Sequence, residues 1–150
     1  MVMLFQHSLR DKKVPLVRRL DGKIGVHAVF EDIVNTLKKG DTFYRISSED
    51  IHDIEAVGLP KEYEKQRDHM KLERLVITNP EFKAAREPKL EESLKVVADE
   101  HLPFDYGVAQ IIYGDKIAYI DYTGPFATIV ENAKLAQLQK DIFKMLFKRL

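Results

Sequence analysis

The sequence predicts an α/β fold, a mixed β-sheet flanked by helices, and three stretches carry that expectation. Val108 to Asp121 reads as two apolar strands joined through Gly114-Asp115, where glycine accepts the positive φ that a two-residue hairpin needs. Neither strand alternates cleanly: Ile111, Ile112 and Tyr113 are consecutive, as are Ile117, Ala118, Tyr119 and Ile120, so both faces of the hairpin are expected to be covered. Two amphipathic stretches, Lys23 to Lys39 and Ala133 to Leu150, supply the covers.

In chain order, Met1 to Leu9 has apolar residues but runs into Arg10-Asp11-Lys12-Lys13 and Pro15, and reads as a lead-in or remnant segment over residues 1–15. Residues 16–150 are expected to form one α/β domain. Leu16 to Leu20 suits a short strand, and Asp21-Gly22 marks the entry to a helix. That helix carries Val26, Val29, Phe30, Ile33 and Leu37 on one stripe, with Gly40 placed to stop it. Thr42 to Ser47 alternates as a strand and runs through Ser48-Glu49-Asp50 into a helical turn. Pro60 to about Lys71 is strongly charged and suits an exposed helix with proline in its first turn. Leu72 to Thr78 is a β-rich run ended by Asn79-Pro80, and Glu81 to Glu92 suits a surface loop or short helix. Ser93 to Ala98 reads as a further strand. After the hairpin and the turn Tyr122-Thr123-Gly124-Pro125 come the short run Phe126 to Val130 and the last helix, capped by Asn132. Leu135, Leu138, Ile142, Met145 and Leu146 make the stripe of that helix, widened by Phe143, Phe147 and Leu150. A helix apolar over such a width either lies between the sheet and another helix or meets a second subunit.

Composition narrows the function. With 24 basic and 24 acidic residues in 150, no global field draws the chain to nucleic acid or to an anionic membrane, so direct nucleic-acid binding by this chain alone is not expected. No apolar run is long enough for a membrane span, and Met1 to Leu9 lacks the features of a signal peptide; a cytoplasmic protein is expected. The absence of cysteine removes disulfides, thiolate metal sites and a cysteine nucleophile. His7, His27, His52, His69 and His101 form no closely spaced pair, and there is no His-Glu-x-x-His, calcium loop, phosphate loop or G-x-S-x-G elbow, so neither a metal nor a cofactor is expected. His52-Asp53 and Asp99-Glu100-His101 are read as solvated neighbours.

The opening L-V-R-R-L-D-G-K-I-G-V-H-A-V-F-E-D-I-V-N-T-L-K-K-G-D-T-F-Y-R-I-S-S and the closing I-I-Y-G-D-K-I-A-Y-I and A-T-I-V-E-N-A-K-L-A-Q-L-Q-K-D-I-F-K-M-L-F resemble the C-terminal region of TrmB-type transcriptional regulators over Leu16 to Leu150. The resemblance implies a regulatory domain like one half of a phospholipase D fold, which senses a ligand, dimerises, or both, here without the family's winged helix. It implies a homodimer and a small-molecule effector, a sugar or phosphorylated metabolite. The kinship also raises a phosphodiesterase. That chemistry needs a histidine nucleophile, a lysine two residues on, and an aspartate after four more. His69-Met70-Lys71 supplies the first pair, but Val76 stands at the aspartate position, and the strand resembling the motif's own, Val108 to Tyr113, has neither histidine nor lysine. The chain is therefore expected to be no enzyme.

A ligand would sit at the rim of the sheet, where strand ends bring polar groups over an apolar floor. The candidates are Arg45, Ser47 and Ser48, then Asp121 and Thr123, then Glu131 and Asn132. Ser47, Ser48 and Asn132 also suit helix caps. Arg45, between Tyr44 and Ile46, either faces solvent or pairs with a carboxylate such as Glu131.

Overall fold

The computed structural model describes residues 16–85, 92–97 and 103–150. The lead-in at 1–15, the Asp99-Glu100-His101 stretch and residues 86–91 of the expected loop or short helix lie outside the described residues.

The strands β1 (Leu16–Asp21), β2 (Thr42–Ser47), β3 (Glu73–Thr78), β4 (Glu92–Val96), β5 (Val108–Tyr113), β6 (Lys116–Asp121) and β7 (Phe126–Glu131) form one mixed sheet in the order β1-β7-β6-β5-β2-β3-β4. The pairs β2–β3 and β3–β4 are parallel, and the remaining pairs are antiparallel. The expected hairpin is present, with Val108 opposite Asp121 and Tyr113 opposite Lys116, and Gly114 takes a φ of 57° at its turn. It sits in the middle of the sheet, flanked by β7 and β2.

The helices are α1 (Gly22–Thr36), α2 (Ile51–Val57), α3 (Tyr63–His69), α4 (Pro80–Ala85) and α5 (Ala133–Arg149). On one sheet face α1 buries Val26, Val29, Phe30 and Ile33 against Ala109, Ile111, Ala118, Ile120, Ala127 and Ile129, and α3 joins this core through Tyr63, whose ring meets that of Phe30 edge-on with centroids 5.1 Å apart. The buried Tyr113 hydroxyl donates to Asp32 at 2.8 Å, and Lys116 reaches the same carboxylate at 3.0 Å, so α1 is held by polar contacts as well as by its stripe. On the other face α5 packs on β5 and β6 and buries Ala136 and Phe143 with Ile77, Ile112 and Ile117.

The boundaries differ from the sequence expectation where side chains find other partners. The first helix ends at Thr36, before Gly40, because Leu37 leaves the helix to join the core and the Lys38 amide donates to Asp41. Asp21 does not cap α1, its carboxylate being taken by Arg19 at 2.8 Å. Pro60 lies in the turn before α3 rather than in its first turn. The helix after β2 is capped by Asp50 in a reciprocal box with Asp53, so Ser47 and Ser48 are left for other work.

The largest correction concerns α5. The side chains expected only to widen its stripe, Phe143 and Phe147, are those that meet the sheet, while Leu135, Leu138, Ile142, Met145 and Leu146 face outward; Leu138 is 57% and Met145 67% exposed. The hairpin is correspondingly covered on one face and only partly on the other, where Tyr119 is 42% exposed.

Three substitutions test this packing. A Cβ at Gly25 would stand 2.4 Å from the backbone carbon of Leu20, so Gly25→Ala forces β1 and α1 apart and is expected to cost about 3 kcal/mol in urea unfolding. Gly40→Ala, in open space at φ +82, should cost only about 1 kcal/mol. Phe143→Ala empties the second core and should cost about 3–5 kcal/mol, measured the same way.

Candidate functional site

The most concentrated buried polar chemistry among the described residues lies on the α1 face of β2 and β3. Strand alternation puts Phe43, Arg45 and Ser47 of β2 on that face, beside Arg74, Val76 and Thr78 of β3. An arginine between a buried phenylalanine and a buried serine has little access to bulk water, and most of its donors are met inside. Arg45 Nε donates to Ser47 Oγ at 2.7 Å, and its Nη2 donates to the buried Glu49 carboxylate and to Tyr122 Oη at 3.1 Å. Burial disfavours the charge on Arg45, but the Tyr122 oxygen and the Glu49 carboxylate outweigh it and hold the guanidinium above its ordinary range. Burial likewise pushes the Tyr122 hydroxyl up to about 12, so it stays a neutral phenol at neutral pH. One oxygen of Glu49 serves Arg45, while Glu49 Oε2 has no hydrogen-bond partner.

Two further arginines stand nearby. Arg74 pairs with the buried Glu92 at 2.9 Å, and the buried Arg67 of α3 pairs with Asp68 at 3.1 Å while lying over the Tyr63 ring. Burial raises the Tyr63 hydroxyl above the usual range, partly offset by the surrounding guanidiniums. A cavity of about 190 Å³ is walled by Arg45, Arg67, Arg74, Glu92, Tyr63 and Tyr122 over an apolar lining that includes Phe30, Phe43 and Val76.

The residues expected at the rim divide into two groups. Arg45, Ser47, Ser48, Asp121 and Thr123 share one end of the sheet, where β2 and β6 finish and β5 begins. Glu131 and Asn132 are at the opposite end, Glu131 being in register with Leu16 and Lys116. The carboxylate partner of Arg45 is therefore Glu49, not Glu131. Ser48 Oγ donates to the Val108 carbonyl at 2.6 Å and ties the β2 end to β5. Asp121 accepts from the Thr123 hydroxyl at 2.6 Å and from the Thr123 and Gly124 amides, a local turn that holds its carboxyl below the usual carboxylate range, chiefly through that hydroxyl. Asn132 caps α5 by accepting from the Leu135 amide at 2.9 Å. Sequence reasoning missed Glu49, Tyr63, Arg67, Arg74 and Glu92. One signal was available: Arg45 and Arg74 both occupy inward positions of alternating strands, where an unpaired charge is too costly to keep.

A second cavity, of about 380 Å³, lies at the same end but reaches the α5 face, lined by Phe104, Tyr106, Val108, Gln110, Tyr119 and Phe126 among others. The strand Val108 to Tyr113, which carries neither histidine nor lysine, lends Val108, Ala109 and Gln110 to this lining. Gln110 meets Tyr119 Oη at 3.3 Å. His69 and Lys71 follow from α3 on the other side of the sheet and do not enter this cavity.

No protein-family model matches the sequence, and no curated protein does. Solved structures do match. TrmBL2, an archaeal chromatin protein whose structure shows a novel mode of DNA binding, superposes with a TM-score of 0.62 at 10% identity, over 89% of this chain and 51% of that one. NucT from Helicobacter pylori superposes with a TM-score of 0.57 at 8% identity, over 89% of this chain and 95% of that one. The chain thus spans about half the length of TrmBL2. At these identities the likeness is one of fold, and it places the chain in the open α/β architecture these proteins share.

Proposed function

We propose that this chain is a non-catalytic regulatory domain of the TrmB-like kind, one that self-associates and recognises a small molecule. The observation that carries the reading is the outward stripe of α5. Leu135, Leu138, Ile142, Met145 and Leu146 present a row of exposed apolar side chains at helical spacing, and Val108 and Tyr119 are half-exposed on the sheet face that α5 covers. Lys144 does not obstruct it, since it leans over the Tyr44 ring at 5.6 Å, on the side turned to the sheet. A second copy, with the same zero formal charge, meets this face without net repulsion. The fold likeness to TrmBL2 supports a regulatory setting, and the balanced charge argues that DNA contact, where it occurs, is made by other parts of a regulator.

A phosphodiesterase is the alternative that fold kinship raises. It is disfavoured because the strand Val108 to Tyr113 carries neither histidine nor lysine. The described helices include none long and apolar enough to cross a membrane.

Sedimentation velocity tests the reading. The parent chain is expected to run as a dimer at micromolar concentration, and the pair Leu138→Glu with Met145→Glu to run as a monomer with its unfolding midpoint at low concentration unchanged. A monomeric parent, or a dimer indifferent to both substitutions, would contradict it.

A further inference from the structure

We propose that the cavity walled by Arg45, Arg67 and Arg74 is a binding site for a small organic monocarboxylate with a compact apolar body. The proposal deepens the sensing half of the reading above by naming a ligand class and a place away from the α5 stripe. Size sets the first limit: about 190 Å³ is somewhat more than the ~150 Å³ of a cavity that holds benzene, so one ring or a branched chain fits together with a carboxylate. Lining sets the second, since Phe30, Phe43, Ile54, Leu59, Val76 and Phe82 give the body of the ligand an apolar surround.

Charge sets the third. Among the described residues, the charges gathered here are the buried guanidiniums of Arg67 and Arg74, the partly buried guanidinium of Arg45, and the carboxylates of Glu49 and Glu92, whose side chains are fully covered. Arg67 differs from the other two: its side chain is buried, yet the carboxylate it pairs with, Asp68, is 70% exposed. An exposed partner is screened by water and holds a cation weakly. Arg67 Nε and Nη2 donate to Asp68 Oδ1 at 3.2 and 3.1 Å, so a carboxylate in the cavity exchanges for that exposed partner on the planar guanidinium, which can grip it in a two-pronged fashion. Glu64 and Glu92 also line the cavity, and their charge disfavours a phosphate or any other multiply charged anion. Glu64 is exposed as well as lining, so the cavity reaches solvent beside α3.

The probes are benzoate, 3-methylbutanoate, benzamide and inorganic phosphate, titrated calorimetrically into the whole chain. At least one of the two carboxylates should bind saturably in the millimolar range or tighter, and benzamide and phosphate at least tenfold more weakly. Arg67→Met, which removes the charge and keeps most of the volume, should weaken the carboxylate at least tenfold with an unchanged circular dichroism spectrum. If Arg67→Met does not fold, Arg67→Lys, which loses the fork, should weaken it at least threefold. Equal binding of benzoate and benzamide, indifference to the Arg67 substitution, or no saturable binding of either carboxylate overturns the proposal. The Leu138→Glu, Met145→Glu chain should bind as the parent does, so loss of self-association and loss of this site are read separately.

Discussion

A seven-stranded sheet has two faces to bury, and among the described residues one long helix lies on the second. That inequality governs the rest of the structure. The first face is closed by α1 and α3, with Phe30, Ile33 and Tyr63 driven into the sheet. Among the described residues, the second is roofed over β5 and β6 by α5 through Ala136, Phe143 and Phe147, with Val97 and Phe104 packed against the same cluster. A helix apolar around much of its circumference can lie on a sheet in more than one rotation. Here the aromatic side takes the sheet, since Phe143 stacks on Phe147 and meets Tyr44 with centroids 5.2 Å apart, and the leucine side is left outward.

The polar interior follows from the same division. On the well-covered face, charged side chains of β2, β3 and β4 have no water to turn to, so they pair: Arg45 with Glu49, Arg74 with Glu92. Such pairs are expensive to bury, and hydrophobic residues of similar volume would often do as well for stability. Their presence in a cluster with two tyrosines and a cavity is a better argument for recognition than for scaffolding. On the opposite side of the sheet, Val108 and Gln110 line an apolar cleft.

Much of the fold was legible in the sequence because it rests on local rules. The Gly114 turn, the Asn132 cap, the α1 stripe and the alternation of Thr42 to Ser47 each specify their element from neighbouring residues. What was not legible depends on distant partners. Periodicity identified the apolar residues of α5 but could not say which of two adjoining stripes meets the sheet. Alternation placed Arg45 correctly beside Ser47, yet its partners Glu49 and Tyr122 are brought together by a strand end and by the far side of the hairpin. Arg67 was hidden in a segment so charged that it read as wholly solvated, whereas Tyr63 and Arg67, four residues apart on α3, turn one face inward.

The claim on which the account stands is that the outer stripe of α5 is covered by another copy of the chain. Hydrogen exchange measured across a dilution series tests it most directly. The account predicts that the amides of α5 and β6 lose protection on dilution while those of β2 and β3 keep theirs. Protection of α5 that does not change with protein concentration would contradict it.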